Sequence, residues 1–398
     1  CCPLRPYRIC ATGRRRAFAA FPRRRVGIRR WARRRGASRL PGRVMTSNAP
    51  GVTGRARRAV RLHDDPRAAA AAAGLAHVSA DTPGFTRVRC GRGFSYHDSH
   101  GRLVDARQRR RIAALAIPPA WTDVWICALE NGHLQCTGFD GKGRKQYLYH
   151  ERWRVLRDAA GFDRLSIMGE ALPAIRDHIA AQLRRRSLDR TRILAAMVRL
   201  LDRSGIRVGG EAYERDNSSI GLTTLRWSHV RLTQAAVSLR FPAKSGIRAE
   251  VEVADRPLAR LLMQLKAGGR QRVFRSDGVV LRATDLNAYL AEVAGVHVTA
   301  KDFRTWRGTV AALGYLAALP TRRRGDRDSV TGAIDAAACA LRNTRAVARA
   351  HYVHPGLFEA WRNEDIKDLW RLPAVEGLSR DETMLVALLP RMAIRGGS

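Results

Sequence analysis

Asn343-Thr344-Arg345-Ala346-Val347-Ala348-Arg349-Ala350-His351-Tyr352 is the stretch on which the reading of this 398-residue chain turns. It ends on a tyrosine, and three basic residues stand upstream in distinctive settings. Arg207 lies in Gly205-Ile206-Arg207-Val208-Gly209, Lys244 in Phe241-Pro242-Ala243-Lys244-Ser245-Gly246, and Arg304 in Lys301-Asp302-Phe303-Arg304-Thr305-Trp306. Arg, Lys, Arg, a polar donor and Tyr, in that chain order, can break a phosphodiester without metal. Such a transfer needs an in-line nucleophile, charge stabilisation on the non-bridging oxygens and a proton for the leaving oxygen.

A tyrosine with its ordinary pKa of about 10 is a poor nucleophile at neutral pH. Guanidinium groups beside it favour the phenolate and grip the pentavalent phosphate through paired N–H donors. Arg207 and Arg304 are the candidates for that work. Lys244 falls in a tight turn between two strand-like runs, where a desolvated ammonium beside two arginines suits general-acid chemistry. Asn343 offers an amide N–H to a phosphate oxygen and does not titrate. Taken singly these residues carry little, since a lone arginine among 73 basic residues is ordinarily a solvated charge. The signal is four local motifs in the right order.

The formal charge of +38, from 73 Lys and Arg against 35 Asp and Glu, points to a polyanion as partner. Nucleic acid fits best, because neutralised phosphates release counterions and give affinity without sequence recognition. Residues 1–44 hold fifteen arginines and no acidic residue, yet the remainder stays strongly basic. That head lacks the apolar region of a secretory signal. It is expected to be a disordered arm, or a translated stretch upstream of a start at Met45, and is left out of the fold. Seven cysteines show neither metal-ligand nor disulfide spacing and read as isolated thiols of a reducing compartment. Cys127, His133 and Cys136 are not read as a metal site. No apolar run approaches the roughly 18 residues of a membrane span.

Texture divides the chain. Residues 1–80 read as basic arm and linker, with one short helix at most in the linker. Residues 81–152 carry short strand-like runs broken by Gly, Asp and Asn turns. Among them Glu130-Asn131-Gly132-His133 is a hairpin signal. Residues 153–398 are mostly helical. There Ile193, Leu194, Met197, Val198, Leu200 and Leu201 recur at helical spacing behind Asp189 as N-cap. A β interlude runs from about 223 to 282. Thr299-Ala300-Lys301-Asp302 reads as a capping box that puts Arg304 in the first turns of a helix. Residues 321–328 form a basic loop, and two helices flank Tyr352. The expected class is α+β, a small β-rich domain followed by a larger helical one.

The pentad resembles that of the type IB DNA topoisomerases, closest to the poxvirus-like branch found in bacteria. Gly221-Leu222-Thr223-Thr224-Leu225 matches the family segment that follows the first arginine. Gly91-Arg92-Gly93-Phe94-Ser95-Tyr96, Ile117-Pro118-Pro119-Ala120-Trp121 and Gly141-Lys142-Gly143-Arg144-Lys145-Gln146-Tyr147 look like the amino-terminal half of the bacterial enzymes. The similarity runs from about 82 to 365. It implies a β-rich domain and a helical catalytic domain closing around duplex DNA as a clamp, with a 3′-phosphotyrosyl intermediate at Tyr352 and no ATP or other cofactor. It also implies a monomer with no obligate protein partner, acting on the bacterial nucleoid in the cytoplasm. Lys301 matches a family lysine that helps assemble the site before cleavage. Lys142, Arg144, Lys145 and Tyr147 form a basic segment with aromatic neighbours, expected to contact DNA phosphates. Its Gly-Lys-Gly-Arg-Lys stretch lacks the spacing of a P-loop. Where poxvirus and nuclear members carry histidine, this chain has Asn343, which keeps a donor role and drops any proton relay.

Two other readings share some of these features. A tyrosine recombinase uses the same nucleophile and catalytic fold, but usually has His-x-x-Arg where this chain has Lys301-x-x-Arg304. A non-catalytic, nucleoid-type DNA binder accounts for the charge and leaves the ordered pentad without explanation.

Overall fold

A computed structural model describes residues 61, 62, 65–211, 214, 215, 218–244, 248–268, 271–319 and 327–395. The arm at 1–44, Met45 and most of the basic loop at 321–328 lie outside the described residues. Helix α1 (Pro66–Ala72) starts as its sequence dictates, with the Asp65 carboxylate accepting from the Arg67 and Ala68 amides and Pro66 in the first turn. Ala69 and Ala70 of α1 pack with Leu62, Leu75, Trp153 and Ala160. The one short helix allowed for in the linker is α1, and it is packed against the rest of the protein. Small alanine side chains let the helix approach Trp153 closely, and chain beyond it stays docked through an Ala76–Gly132 bridge and His77 stacked on His133 at 4.4 Å.

The β-rich region is one antiparallel five-stranded sheet in the order β2-β1-β3-β4-β5. Its strands are β1 (Gly84–Cys90), β2 (Gly93–His97), β3 (Thr122–Cys127), β4 (Leu134–Phe139) and β5 (Lys145–Tyr149). Helix α2 (Ala106–Ala114) places Ile112 against Val124, Ile126 and Cys136 to make a small separate core. The Glu130–His133 turn joins β3 to β4 as its residues suggest. Gly132 is required there, since a Cβ would stand 2.5 Å from Cys127 Sγ.

Helix α3 (Glu151–Arg184) begins where the sheet ends, so the expected boundary at 152/153 falls in its first turn. At 34 residues it is about 50 Å long. Its first turn joins the sheet through Trp153, which stacks near Tyr149 at 6.3 Å, while Leu165, Met168, Leu172, Ile175 and Ile179 run into the main core. Helix α4 (Arg190–Ser204) follows with Asp189 as N-cap and buries Ile193, Leu194, Met197, Val198, Leu200 and Leu201.

The β interlude is an antiparallel sheet in the order β6-β7-β8, from β6 (Val230–Leu232), β7 (Ala236–Pro242) and β8 (Arg248–Ala254). Alternation in β8 buries Ala249, Val251 and Val253. A helix, α5 (Arg256–Ala267), interrupts the interlude where only strands were expected. Its start signal, Asp255 before Arg256-Pro257, and its stripe of Leu258, Leu261 and Leu262 follow helical rules. A short hairpin, β9 (Arg275–Ser276) and β10 (Val279–Val280), closes the interlude.

The helices α6 (Ala283–Ala294), α7 (Ala300–Ala317), α8 (Arg327–Leu341), α9 (Arg345–His351), α10 (Gly356–Arg362) and α11 (Arg380–Arg395) complete the main core. The α+β class holds, with a small β-rich region and a larger helical one. Among the described residues, no helix is long and apolar enough to cross a membrane.

Candidate active site

Helix α7 organises the site. Asp302 at its third position accepts from both the amide and hydroxyl of Thr299, at 2.7 and 2.9 Å, which fixes where the helix starts. Arg304 then points inward and is 4% exposed. Its guanidinium donates to the Gly205 carbonyl, to Leu341 O at 3.3 Å and to Asn343 Oδ1 at 3.3 Å. Among the described residues, no carboxylate pairs with it. The acceptors are carbonyls at the C-terminal ends of α4 and α8, where helix dipoles favour a cation. Arg304 is therefore held firmly while its charge stays free for an anion.

Arg207 follows the left-handed Gly205 that ends α4. Its backbone is clamped by the Gly-Leu-Thr-Thr-Leu segment: Leu222 N donates to Arg207 O and Thr223 N to Val208 O, both at 2.8 Å. The clamp needs glycines, because a Cβ on Gly221 would stand 2.5 Å from the Gly209 Cα. The Arg207 side chain donates to Asn343 Oδ1, so one amide oxygen joins both arginines. Asn343 Nδ2 has no partner among the described residues. The oxygen is committed to the site and the N–H₂ remains a donor.

Tyr352 caps the C-terminus of α9. The Arg304 guanidinium carbon lies 4.8 Å from its ring centroid. Burial pushes the phenol pKa up, but the charge and hydrogen bond of Arg304, with the charges of Arg207 and Lys301, outweigh it and bring the pKa below its ordinary value. Arg304 shifts down, through burial first, with Arg207 and Arg307 contributing and Tyr352 opposing. The tyrosine backbone is held by α7 itself. Gly308 leaves room for Tyr352 O, which a Cβ would meet at 2.5 Å, and Thr309 Oγ1 donates to that same oxygen at 3.2 Å. The sequence reading missed Gly308 and Thr309. A glycine inside a helical pattern was the available sign of close packing.

The structure thus brings Arg207, Arg304, Asn343 and Tyr352 together, with Lys301 exposed on the first turn of α7 and near enough for its charge to reach the phenol. Lys244 is not tied into this group by a described contact. It occupies the connection between β7 and β8, is exposed, and makes no hydrogen bond or ion pair among the described residues.

In the sheet, Lys142, Lys145 and Tyr147 are exposed at the β4–β5 turn, with Lys145 Nζ 5.9 Å from the Tyr147 ring centroid. Gly143, at φ +69°, permits the turn. Arg144 is engaged by Asp140 at 2.6 Å, and Asp140 also accepts from the Lys142 and Arg144 amides. Arg144 is therefore partly a brace for the turn that presents its neighbours.

The chain is similar to known proteins. A family model described as the eukaryotic DNA topoisomerase I catalytic core matches residues 150–368, and one for the bacterial DNA topoisomerase IB N-terminal domain matches residues 93–140. The chain is 30% identical over 299 residues to the DNA topoisomerase 1B of Acanthamoeba polyphaga mimivirus, covering 70% of this chain and 88% of that protein. It is 28% identical over 144 residues to the DNA topoisomerase 1B of Vaccinia virus (strain Copenhagen), covering 34% of this chain and 45% of that one. The catalytic-core match takes in over half the chain and every residue gathered around Tyr352, and on that ground the chain belongs to the type IB DNA topoisomerase family.

Proposed function

We propose that Tyr352 is the nucleophile with which this type IB topoisomerase cuts and reseals one strand of duplex DNA. The phenolate oxygen attacks phosphorus, the bond from phosphorus to the 5′-oxygen breaks, and a 3′-phosphotyrosyl link forms. The freed 5′-hydroxyl end swivels to relax supercoils and then attacks the same phosphorus, expelling the tyrosine. The covalent link conserves the bond energy, so no ATP is consumed.

In this reading Arg207, Arg304 and the Asn343 Nδ2 bind the non-bridging oxygens. Each such preorganised donor contributes roughly 2.7–4 kcal/mol to the transition state. Lys301 adds charge beside the phenol, and Lys244 protonates the departing 5′-oxygen once the β7–β8 turn meets the DNA. Lys142, Arg144, Lys145 and Tyr147 contact DNA on the β-rich side. Residues 81–152 and 153–398 act as the two arms of a monomeric clamp on the bacterial nucleoid. The observation that carries the assignment is Asn343 Oδ1 shared by Arg207 and Arg304 beside a tyrosine whose pKa is depressed.

The test is to incubate purified protein with negatively supercoiled plasmid in EDTA without ATP. A ladder of relaxed topoisomers supports the proposal. Binding without relaxation would make the chain an architectural DNA binder, and products formed only with paired specific sites would make it a recombinase.

A further inference from the structure

Arg342 sits where a side chain is least expected. Helix α8 ends in a Schellman motif: Arg342 N donates to Cys339 O at 3.2 Å and Asn343 N to Ala338 O at 2.9 Å. Arg342 occupies its left-handed position, at φ +53°. Glycine is the usual residue there, because a Cβ crowds the backbone in that conformation. The next residue is Asn343, whose amide oxygen joins the two arginines.

The side chain supplies a reason for the strained choice. Arg342 Nε donates to Glu250 O on β8 at 3.1 Å, and Nη1 donates to Ser204 O at 2.9 Å. Ser204 is the last residue of α4, three positions before Arg207. Glu250 faces Arg240 across the β7–β8 pairing whose connection carries Lys244. A single guanidinium therefore ties the Lys244 hairpin, the Arg207 segment and the Asn343 turn to one another. The planar fork reaches two carbonyls in different directions, which an ammonium on a flexible stem does not reproduce. Burial, with the charges of Arg307 and Arg304, brings this group down to about 10, so its charge is held there against opposition.

We propose that Arg342 is a positioning residue for strand cleavage, setting the β7–β8 hairpin and its Lys244 in register with Arg207 and Asn343. The part concerning the lysine rests on its general-acid role.

The test is single-turnover cleavage of a duplex by the full chain carrying Arg342→Gly, Arg342→Lys, Lys244→Ala, or Arg342→Gly with Lys244→Ala, with Tm and duplex affinity measured alongside. Arg342→Gly relieves the left-handed backbone, so Tm should hold or rise. Cleavage should nevertheless slow by about 10- to 100-fold, the scale of a misplaced catalytic group. Arg342→Lys should fail to restore the rate, and affinity should be unchanged. The double variant should be no slower than Lys244→Ala alone. Parent-like cleavage by Arg342→Gly, or defects that multiply in the double variant, would overturn the proposal. A 5′-bridging phosphorothiolate strand keeps the two readings distinct. If Lys244→Ala is equally slow on sulfur and oxygen substrates, the lysine is no general acid, while non-additivity with Arg342 still establishes the coupling.

Discussion

The Arg164 guanidinium on α3 reaches the Asp302 carboxylate at the start of α7, with Nη2 2.6 Å from Oδ2 and Nε 3.2 Å from Oδ1. The same arginine donates to His297 O at 2.8 Å. Asp302 also caps the helix two positions before Arg304. The helix presenting Arg304 is thus fixed at its first turn to the long helix that runs out to the sheet.

Breaking that pair strands a charge in the core. The side chains of Arg164 and Asp302 are 2% and 10% exposed. Arg164→Ala should destabilise the fold by about 3–5 kcal/mol, because the carboxylate stays buried without its partner. Urea denaturation measures this, and a loss below about 1 kcal/mol would show that water or Thr299 satisfies the aspartate unaided.

Tyr352→Phe should abolish the covalent adduct and leave duplex affinity nearly intact, since affinity comes from many phosphate contacts. Denaturing gels on a labelled duplex report the adduct, and a gel shift reports binding. Residual plasmid relaxation would hand the reaction to another tyrosine.

Arg304→Ala should slow cleavage by about 100-fold or more, the loss of one preorganised donor. It should also move the pH dependence. Burial alone raises the phenol pKa, and Arg304 supplies the largest opposing influence. Removing it raises the folded-state pKa, so the rising limb of cleavage rate against pH should shift to higher pH. An unshifted profile would separate Arg304 from activation of the tyrosine.

Lys244→Ala should be severely slow on ordinary DNA and nearly normal on a strand with a 5′-bridging sulfur, which leaves without a proton. Arg304→Ala should gain much less from the same substrate, because its work is on the non-bridging oxygens. Equal defects of Lys244→Ala on both strands would reduce the lysine to a phosphate contact.

Acid stability should depend on Glu382, 7% exposed and held by Arg176 at 2.8 Å and by Trp306 Nε1 at 3.0 Å. Burial pushes its pKa up, but hydrogen bonds and charge from Arg176 bring it from 4.5 to about 2. A carboxylate depressed by folding stabilises above its unfolded pKa. Its contribution, about 3 kcal/mol by linkage, should therefore disappear as pH falls from 4.5 towards 2. Glu382→Gln should flatten stability across that window in denaturation curves taken at several pH values.

Local chemistry made much of this protein legible from its sequence. Asp189 and Asp255 start helices because their carboxylates accept from free backbone amides of the first turn, and the start at Thr299 is fixed by Asp302, which accepts from the Thr299 amide and hydroxyl. The glycine turns of the sheet and the alternation of β8 follow from equally local rules, and the order of Arg207, Lys244, Arg304, Asn343 and Tyr352 pointed to phosphodiester chemistry. Helix α5 carries equally local signals, Asp255 before Arg256-Pro257 and a leucine stripe at helical spacing, inside a region whose flanking runs read as strands. The packing of α1 on Trp153 was not legible, since an alanine run looks alike in a linker and against an aromatic face. Tertiary structure alone decided which cations meet the tyrosine. Arg207 and Arg304 are joined through one Asn343 oxygen, while Lys244 stands exposed on its hairpin. It also decided that Gly308 and Thr309 hold the tyrosine backbone and that Arg342 ties three segments together. Those relationships depend on where two helix C-termini converge, and convergence is set by the packing of residues far apart in the chain, which no local rule encodes.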